Sequence, residues 1–319
     1  MSIFRKPQKY KTGVKFLAYG FSGVGKTVFA LSFPKIAMLD AELGASFYEG
    51  QEEGKNLVAI SNTQSYNELN DVLDELLEEH EDLGIETFIT DSATKFRENL
   101  INAVTEIDIK RAKKKLGSDA ELDTATSMRS WGTIGRITKQ QQNTKIDLSS
   151  KGVNIIDIAQ AKEIKDQNQN VIGVIPDMDK KAKFDYDVVL YLFTETNSKG
   201  ETVFKGRVEK DRTKTYKVGT VIENPSYDSW KESLEGNSSN LLGTDYTGQS
   251  DKDTNAYEAE QALQDKTLGE RLAEVSRSLD AEGKEKLKAD LSKAKITSAN
   301  DLTKNQQNKL SEILDKYSK

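Results

Sequence analysis

The 319-residue chain contains no cysteine and one histidine, His80. The first absence excludes disulfides and thiolate metal sites; with the second it removes zinc centres and Ser-His-Asp or Cys-His catalysis. His80 itself, ending the acidic stretch ELLEEHEDLG, reads as a solvated surface residue. No apolar run reaches membrane-spanning length, and the opening MSIFRKPQKYKTG lacks the apolar centre of a signal peptide, so a cytoplasmic protein without membrane contact is expected. Positive charge is not in excess either: 46 Lys and Arg stand against 52 Asp and Glu, a net charge of −6. That argues against a basic nucleic-acid coat but leaves room for a local basic groove.

What is present is concentrated between Val14 and Glu42. An apolar run ends at Tyr19, Gly20-Phe21-Ser22-Gly23-Val24-Gly25-Lys26-Thr27 fits G-x-x-x-x-G-K-[ST], and a helical pattern follows through Phe33. In that strand-loop-helix setting the motif is a phosphate-binding loop. Glycines let main-chain N–H groups close around a triphosphate, and the helix directs its positive end at the same oxygens. Lys26 is expected on the β- and γ-phosphates and the Thr27 hydroxyl on Mg²⁺.

Two apolar strands ending in acids follow. KIAMLD places Asp40-Ala41-Glu42 at the strand end where ligands of open α/β sheets bind, and TFITD ends in Asp91, the form of a Walker B strand whose aspartate holds Mg²⁺. Ser92 stands where one large group of P-loop ATPases has its water-polarising glutamate, so Glu42 is the candidate base. Thr144-Lys145-Ile146-Asp147 matches the guanine-reading [NT]-K-x-D pattern, but in a glutamine-rich helical stretch rather than at a strand end; ATP, not GTP, is the expected nucleotide.

Further along, residues 93–150 are helical and polar, with a basic cluster at Lys110–Lys115 and Trp131 expected to pack. VNIIDIA reads as a strand ending at Gln160, followed by a loop or hairpin over Lys162–Lys183 with basic residues at both ends. The runs 186–193, 201–210 and 216–222 suggest an antiparallel extension of a parallel core. Residues 236–264, rich in Gly, Ser, Asn and Asp, read as a flexible acidic linker, and 265–319 as two or three short helices.

GFSGVGKT, MLDAE, FITDS and a strand ending in Gln together resemble the RecA-type ATPase core over roughly Lys11 to Trp230. They look most like the small phage nucleotide-binding proteins of that superfamily that accompany single-strand annealing and recombination. The resemblance implies an α/β fold: a RecA-like core over residues 1–235, with a mostly parallel sheet and an antiparallel extension, plus a small C-terminal helical region. It implies that Glu42 activates water, that Gln160 senses the γ-phosphate and relays nucleotide state to a single-stranded DNA loop at Lys162–Lys183, and that Lys210 and Arg212 reach a neighbouring subunit's γ-phosphate in a ring or filament. The functional expectation is a DNA-stimulated ATPase of phage recombination or replication. The alternative is a nucleotide-switched adaptor that docks a replication or recombination protein through the C-terminal helices. A nucleotide kinase is disfavoured by the lack of an arginine-rich lid.

Overall fold

The computed structural model describes residues 4–116, 126–179, 181–235, 240–265, 267–299 and 302–317. Residues 236–239 of the expected linker and Lys180 of the expected loop lie outside them. The chain divides into two compact units, Met1–Thr247 and Gly248–Lys319.

In the first unit, β1 (Lys15–Gly20), β2 (Ile36–Asp40), β3 (Leu57–Asn62), β4 (Thr87–Asp91), β5 (Asn154–Lys165), β7 (Val188–Thr196), β8 (Thr202–Asp211) and β9 (Val221–Glu223) lie side by side in the order β3-β2-β4-β5-β1-β7-β8-β9, and β6 (Val171–Pro176) pairs with β5 alone. β1 to β5 and β7 run parallel, while β6, β8 and β9 are added antiparallel. β1, β2 and β4 are short and mostly apolar because helices cover both faces, and nearly every residue in them is buried. The mostly parallel α/β core with an antiparallel extension is thus what the sequence builds, although of the expected run 216–222 only Val221 and Ile222 are strand, in the three-residue β9.

One face is sealed by α1 (Lys26–Leu31) and an aromatic cluster in which Phe16, Phe29, Phe33 and Trp230 meet edge to face at centroid distances of 5.2–6.3 Å. The other is covered by α2 (Tyr66–Glu79), α3 (Ala93–Leu116) and α4 (Met128–Ser150). Leu69, Leu73 and Leu76 of α2 recur at helical spacing and face Phe88 and Ile155. His80, expected at the surface, is buried at the end of α2, its Nδ1 3.0 Å from the Leu76 carbonyl, because the chain turns inward there toward Ile85. Trp131, expected to pack, is 44% exposed on α4.

α5 (Lys231–Leu234) closes this unit's aromatic face, and α6 (Tyr246–Asp265) occupies most of the stretch that composition marked as flexible linker. Asp147 explains how α6 starts: Oδ1 accepts from the Tyr246 N–H and the Thr244 hydroxyl, and Oδ2 from the Thr247 N–H and hydroxyl. A carboxylate holding the first N–H groups of a helix satisfies donors that have no partner within it. In the second unit α7 (Leu268–Ser278), α8 (Ala281–Lys293) and α9 (Lys304–Tyr317) surround Val275, Leu287, Ile296, Leu310 and Leu314. Thr267 and Glu270 form a capping box at α7, and Asp280 caps α8.

Candidate active site

β5 is inserted between β1 and β4, so three strand ends converge: Gly20 of β1 lies opposite Gln160, and Asp91 of β4 opposite Ile158. The loop between β1 and α1 rises over this edge. A Cβ at Gly20 would sit 2.4 Å from the Leu192 carbonyl oxygen, and Gly25 has φ +83° with Phe204 of β8 against it, so neither position accepts a side chain without strain. With Glu42, Gly44, Tyr48, Asp91, Ser92, Gln160, Ala161 and Phe204, the loop encloses a cleft of about 520 Å³, within the range of small-molecule sites.

Lys26 Nζ donates to the Phe21 carbonyl at 2.7 Å, bending the side chain back over its own loop. Burial pulls its pKa below the usual lysine value, against the attraction of Asp91 and Glu42. The Thr27 hydroxyl donates to Asp91 Oδ2 at 2.7 Å. Burial pushes the Asp91 carboxyl up to about 6; the Thr27 hydrogen bond and Lys26 oppose the rise, and Asp40 and Glu42 add to it. A buried carboxylate short of positive charge beside a hydroxyl is a donor set that suits Mg²⁺, which takes hard oxygens and fills its remaining positions with water and phosphate. Among the described residues no group of three or more His, Cys, Asp or Glu side chains is arranged for a metal ion, and an ion bridging Thr27, Asp91 and a triphosphate does not require one.

Glu42 owes its position to Asp40. The Asp40 carboxylate, buried at the end of β2, accepts from the N–H groups of Glu42 (3.0 Å), Gly44 (3.3 Å) and Ala45 (2.7 Å), winding the chain into a tight turn. Glu42 Oε1 then accepts from the Ser92 hydroxyl at 2.6 Å and from Gln160 Nε2 at 2.8 Å. The peptide between Asp91 and Ser92 is cis. The sequence places the end of this strand at Gln160, but β5 continues five residues further and turns at Asp166 into β6, forming a hairpin. Thr94, at the start of α3, ties the hairpin base to this corner, its hydroxyl accepting from the Gln160 N–H (3.0 Å) and donating to the Asp177 carbonyl (3.1 Å).

The structure therefore brings Gly20 to Thr27, Glu42, Asp91 and Gln160 together. Lys210 and Arg212 are elsewhere. Lys210 pairs with Val189 near the start of β7, the sheet edge opposite the phosphate loop. Its Nζ donates to the carbonyls of Lys183 and Phe184, while Arg212 pairs with Asp187 at 3.3 Å. Neither reaches its own chain's cleft. The sequence names Asp40 and Ser92 without giving either a part in the site, and Thr94 and Phe204 carry no motif signal.

The AAA domain family model AAA_24 matches residues 12–229, more than half of the chain. The chain belongs to this AAA family. Membership makes residues 12–229 an ATPase-type nucleotide-binding domain, which covers the first unit from before β1 to beyond β9. Two solved structures are similar at low identity. A KaiC-like protein from the hyperthermophilic archaeon Pyrococcus horikoshii OT3 is 14% identical, with 68% of this chain and 92% of that one covered and a TM-score of 0.38. The flagellar accessory protein FlaH from Methanocaldococcus jannaschii is 10% identical, with 67% and 85% covered and a TM-score of 0.37. No curated protein matches the sequence. Among the described residues no helix is long and apolar enough to cross a membrane.

Proposed function

We propose that the protein hydrolyses ATP and couples the hydrolysis to single-stranded DNA binding at the β5–β6 hairpin, in phage DNA recombination or replication within the bacterial cytoplasm. The observation that carries the hydrolytic part is the convergence of Lys26, Thr27, Asp91, Glu42 and Gln160 on one cleft. Thr27 and Asp91 would hold Mg²⁺, which supplies neutralising charge to the phosphates. Lys26 leaves the Phe21 carbonyl for the β- and γ-phosphates. Glu42 takes the proton of the attacking water as the bond from the γ-phosphorus to the bridging oxygen breaks, releasing ADP and phosphate. Gln160, standing at once on the Glu42 carboxylate and at the hairpin base, is the natural sensor of the γ-phosphate.

The hairpin supports the DNA part by its exposed Ile164, Val171 and Ile172 and its position directly beyond Gln160. Self-association would let Arg212, 57% exposed at its side chain, or Lys210 serve a second copy's cleft. One observation favours the adaptor reading instead: Lys162, Lys165 and Lys183 pair with Asp177, Glu163 and Glu209 of the same chain, which reduces the charge left for phosphates. In that reading the α7–α9 unit docks a replication or recombination protein.

Steady-state ATP turnover with and without single-stranded DNA separates the two. Stimulation lost on replacing Ile164, Val171 and Ile172 by Ser supports the first; a rate indifferent to DNA, with partner capture through residues 265–319, supports the second. Turnover should vanish in Lys26→Ala and fall ~10²–10⁴-fold in Glu42→Gln with nucleotide binding retained. Wild-type turnover in Glu42→Gln would remove Glu42 from the mechanism.

A further inference from the structure

The position after the Walker B aspartate carries a serine, and the geometry gives that serine something to do. Ser92 is 1% exposed, and its hydroxyl spends its one proton on Glu42 Oε1 at 2.6 Å. Gln160 donates to the same oxygen, and among the described residues no side chain donates to Glu42 Oε2. A glutamate on a turn has three free side-chain torsions, and a base works only when its accepting oxygen is aimed at the water. Fixing Oε1 leaves Oε2 as the proton acceptor.

The two donors differ in what they are attached to. Gln160 lies at the base of the hairpin; Ser92 follows Asp91 directly, and Asp91 is held in the sheet by pairing with both Asp40 and Ile158. The serine's hold on Glu42 is thus independent of the hairpin, and it ties the base to the carboxylate beside Thr27 through one residue of backbone.

Resting on the reading of Glu42 as the water-activating base, we infer that Ser92 is a positioning residue that orients the Glu42 carboxylate for proton abstraction. The turn after β2 supplies the base, and the residue after the β4 aspartate aims it.

The test uses the full chain, measuring turnover against ATP concentration together with equilibrium binding of a fluorescent ATP analogue. Ser92→Ala should lower kcat ~10–100-fold while KM and nucleotide affinity stay within about 2-fold. Ser92→Cys, close in volume but a weak donor, should fall between Ala and wild type and serves if Ala lowers the melting temperature. In the Glu42→Gln background Ser92→Ala should add no further loss to the residual single-turnover rate, because its effect runs through Glu42. An unchanged kcat in Ser92→Ala, a parallel loss of nucleotide affinity, or the same fold-loss with and without Glu42 would each overturn the role. If wild type does not turn over, the hydrolytic reading itself fails; if Glu42→Gln turns over normally, Glu42 is not the base; the serine's role falls in either case. Full turnover in Ser92→Ala beside a dead Glu42→Gln removes the serine's part alone.

Discussion

Two aspartates on neighbouring strands, one register step apart, have opposite surroundings. Asp157 of β5 lies across from Thr90, and Asp91 of β4 across from Ile158. Asp157 is fully buried but answered: Lys145 Nζ of α4 donates to its two oxygens at 2.6 and 2.8 Å, and the Tyr186 hydroxyl donates at 2.5 Å. Asp91 is almost as buried, yet among the described residues its carboxylate accepts a side-chain hydrogen bond only from a neutral hydroxyl, and two further carboxylates stand close. The first arrangement holds α4 against the sheet. The second is left short of positive charge, which is what a site awaiting a cation and a nucleotide requires.

The sharpest way to break this contrast is to remove the cation from the answered site. Lys145→Ala should destabilise the protein by ~3–5 kcal/mol in denaturant titrations, because it strands a buried charge. The opposite sign is expected at the other aspartate. Asp91→Asn should stabilise the nucleotide-free protein by ~3 kcal/mol, the cost of a carboxyl raised from 3.8 to about 6, while abolishing Mg²⁺-dependent turnover. A smaller effect should follow Tyr186→Phe, ~2 kcal/mol of destabilisation for one hydrogen bond to a charged group.

The smallest expected effect is a pH dependence. Below about pH 4 folded and unfolded chains both carry the Asp91 proton, and between 4 and 6 the unfolded chain loses it while the folded chain keeps it. Stability therefore falls with rising pH across that window, and the full penalty holds above about 6. Moving nucleotide-free protein from pH 7 to pH 5 should gain wild type about 1 kcal/mol relative to Asp91→Asn. Parallel pH curves for the two proteins would remove Asp91 as the strained group.

The same pair shows what the sequence could and could not disclose. Asp91 was legible because its role is written locally, as an apolar run with an acid at its end downstream of a phosphate loop. Asp157 was not, since its partners come from a helix 12 residues before it and a loop 29 residues after it. Thr144 to Asp147 match the guanine-reading pattern but lie in a helix; Lys145 and Asp147 instead answer Asp157 and cap α6. The linker composition misled because α6 takes its first N–H contacts from Asp147, about 100 residues away. Likewise β5 was cut short at Gln160 because the turn beyond it, built on Asp166 accepting from the Asn168 and Asn170 N–H groups, contains neither glycine nor proline. The convergence of the strand ends was legible in outline, since order along the chain and acid position suffice for it, whereas the hydroxyls of Ser92 and Thr94 act only once β2, β4 and β5 lie side by side.

The length of β5 has a mechanical meaning. From Gln160 to Lys165 the strand projects ~16 Å beyond its clamp at Thr94, whereas the Gln160 side-chain amide reaches ~4 Å from the same point. Those proportions are those of a ~4 to 1 lever: a swing of ~4 Å at the tip would arrive at the carboxylate as ~1 Å, the scale on which a reacting group is in or out of line. A coarse displacement of the tip would be geared down to atomic adjustment at Glu42.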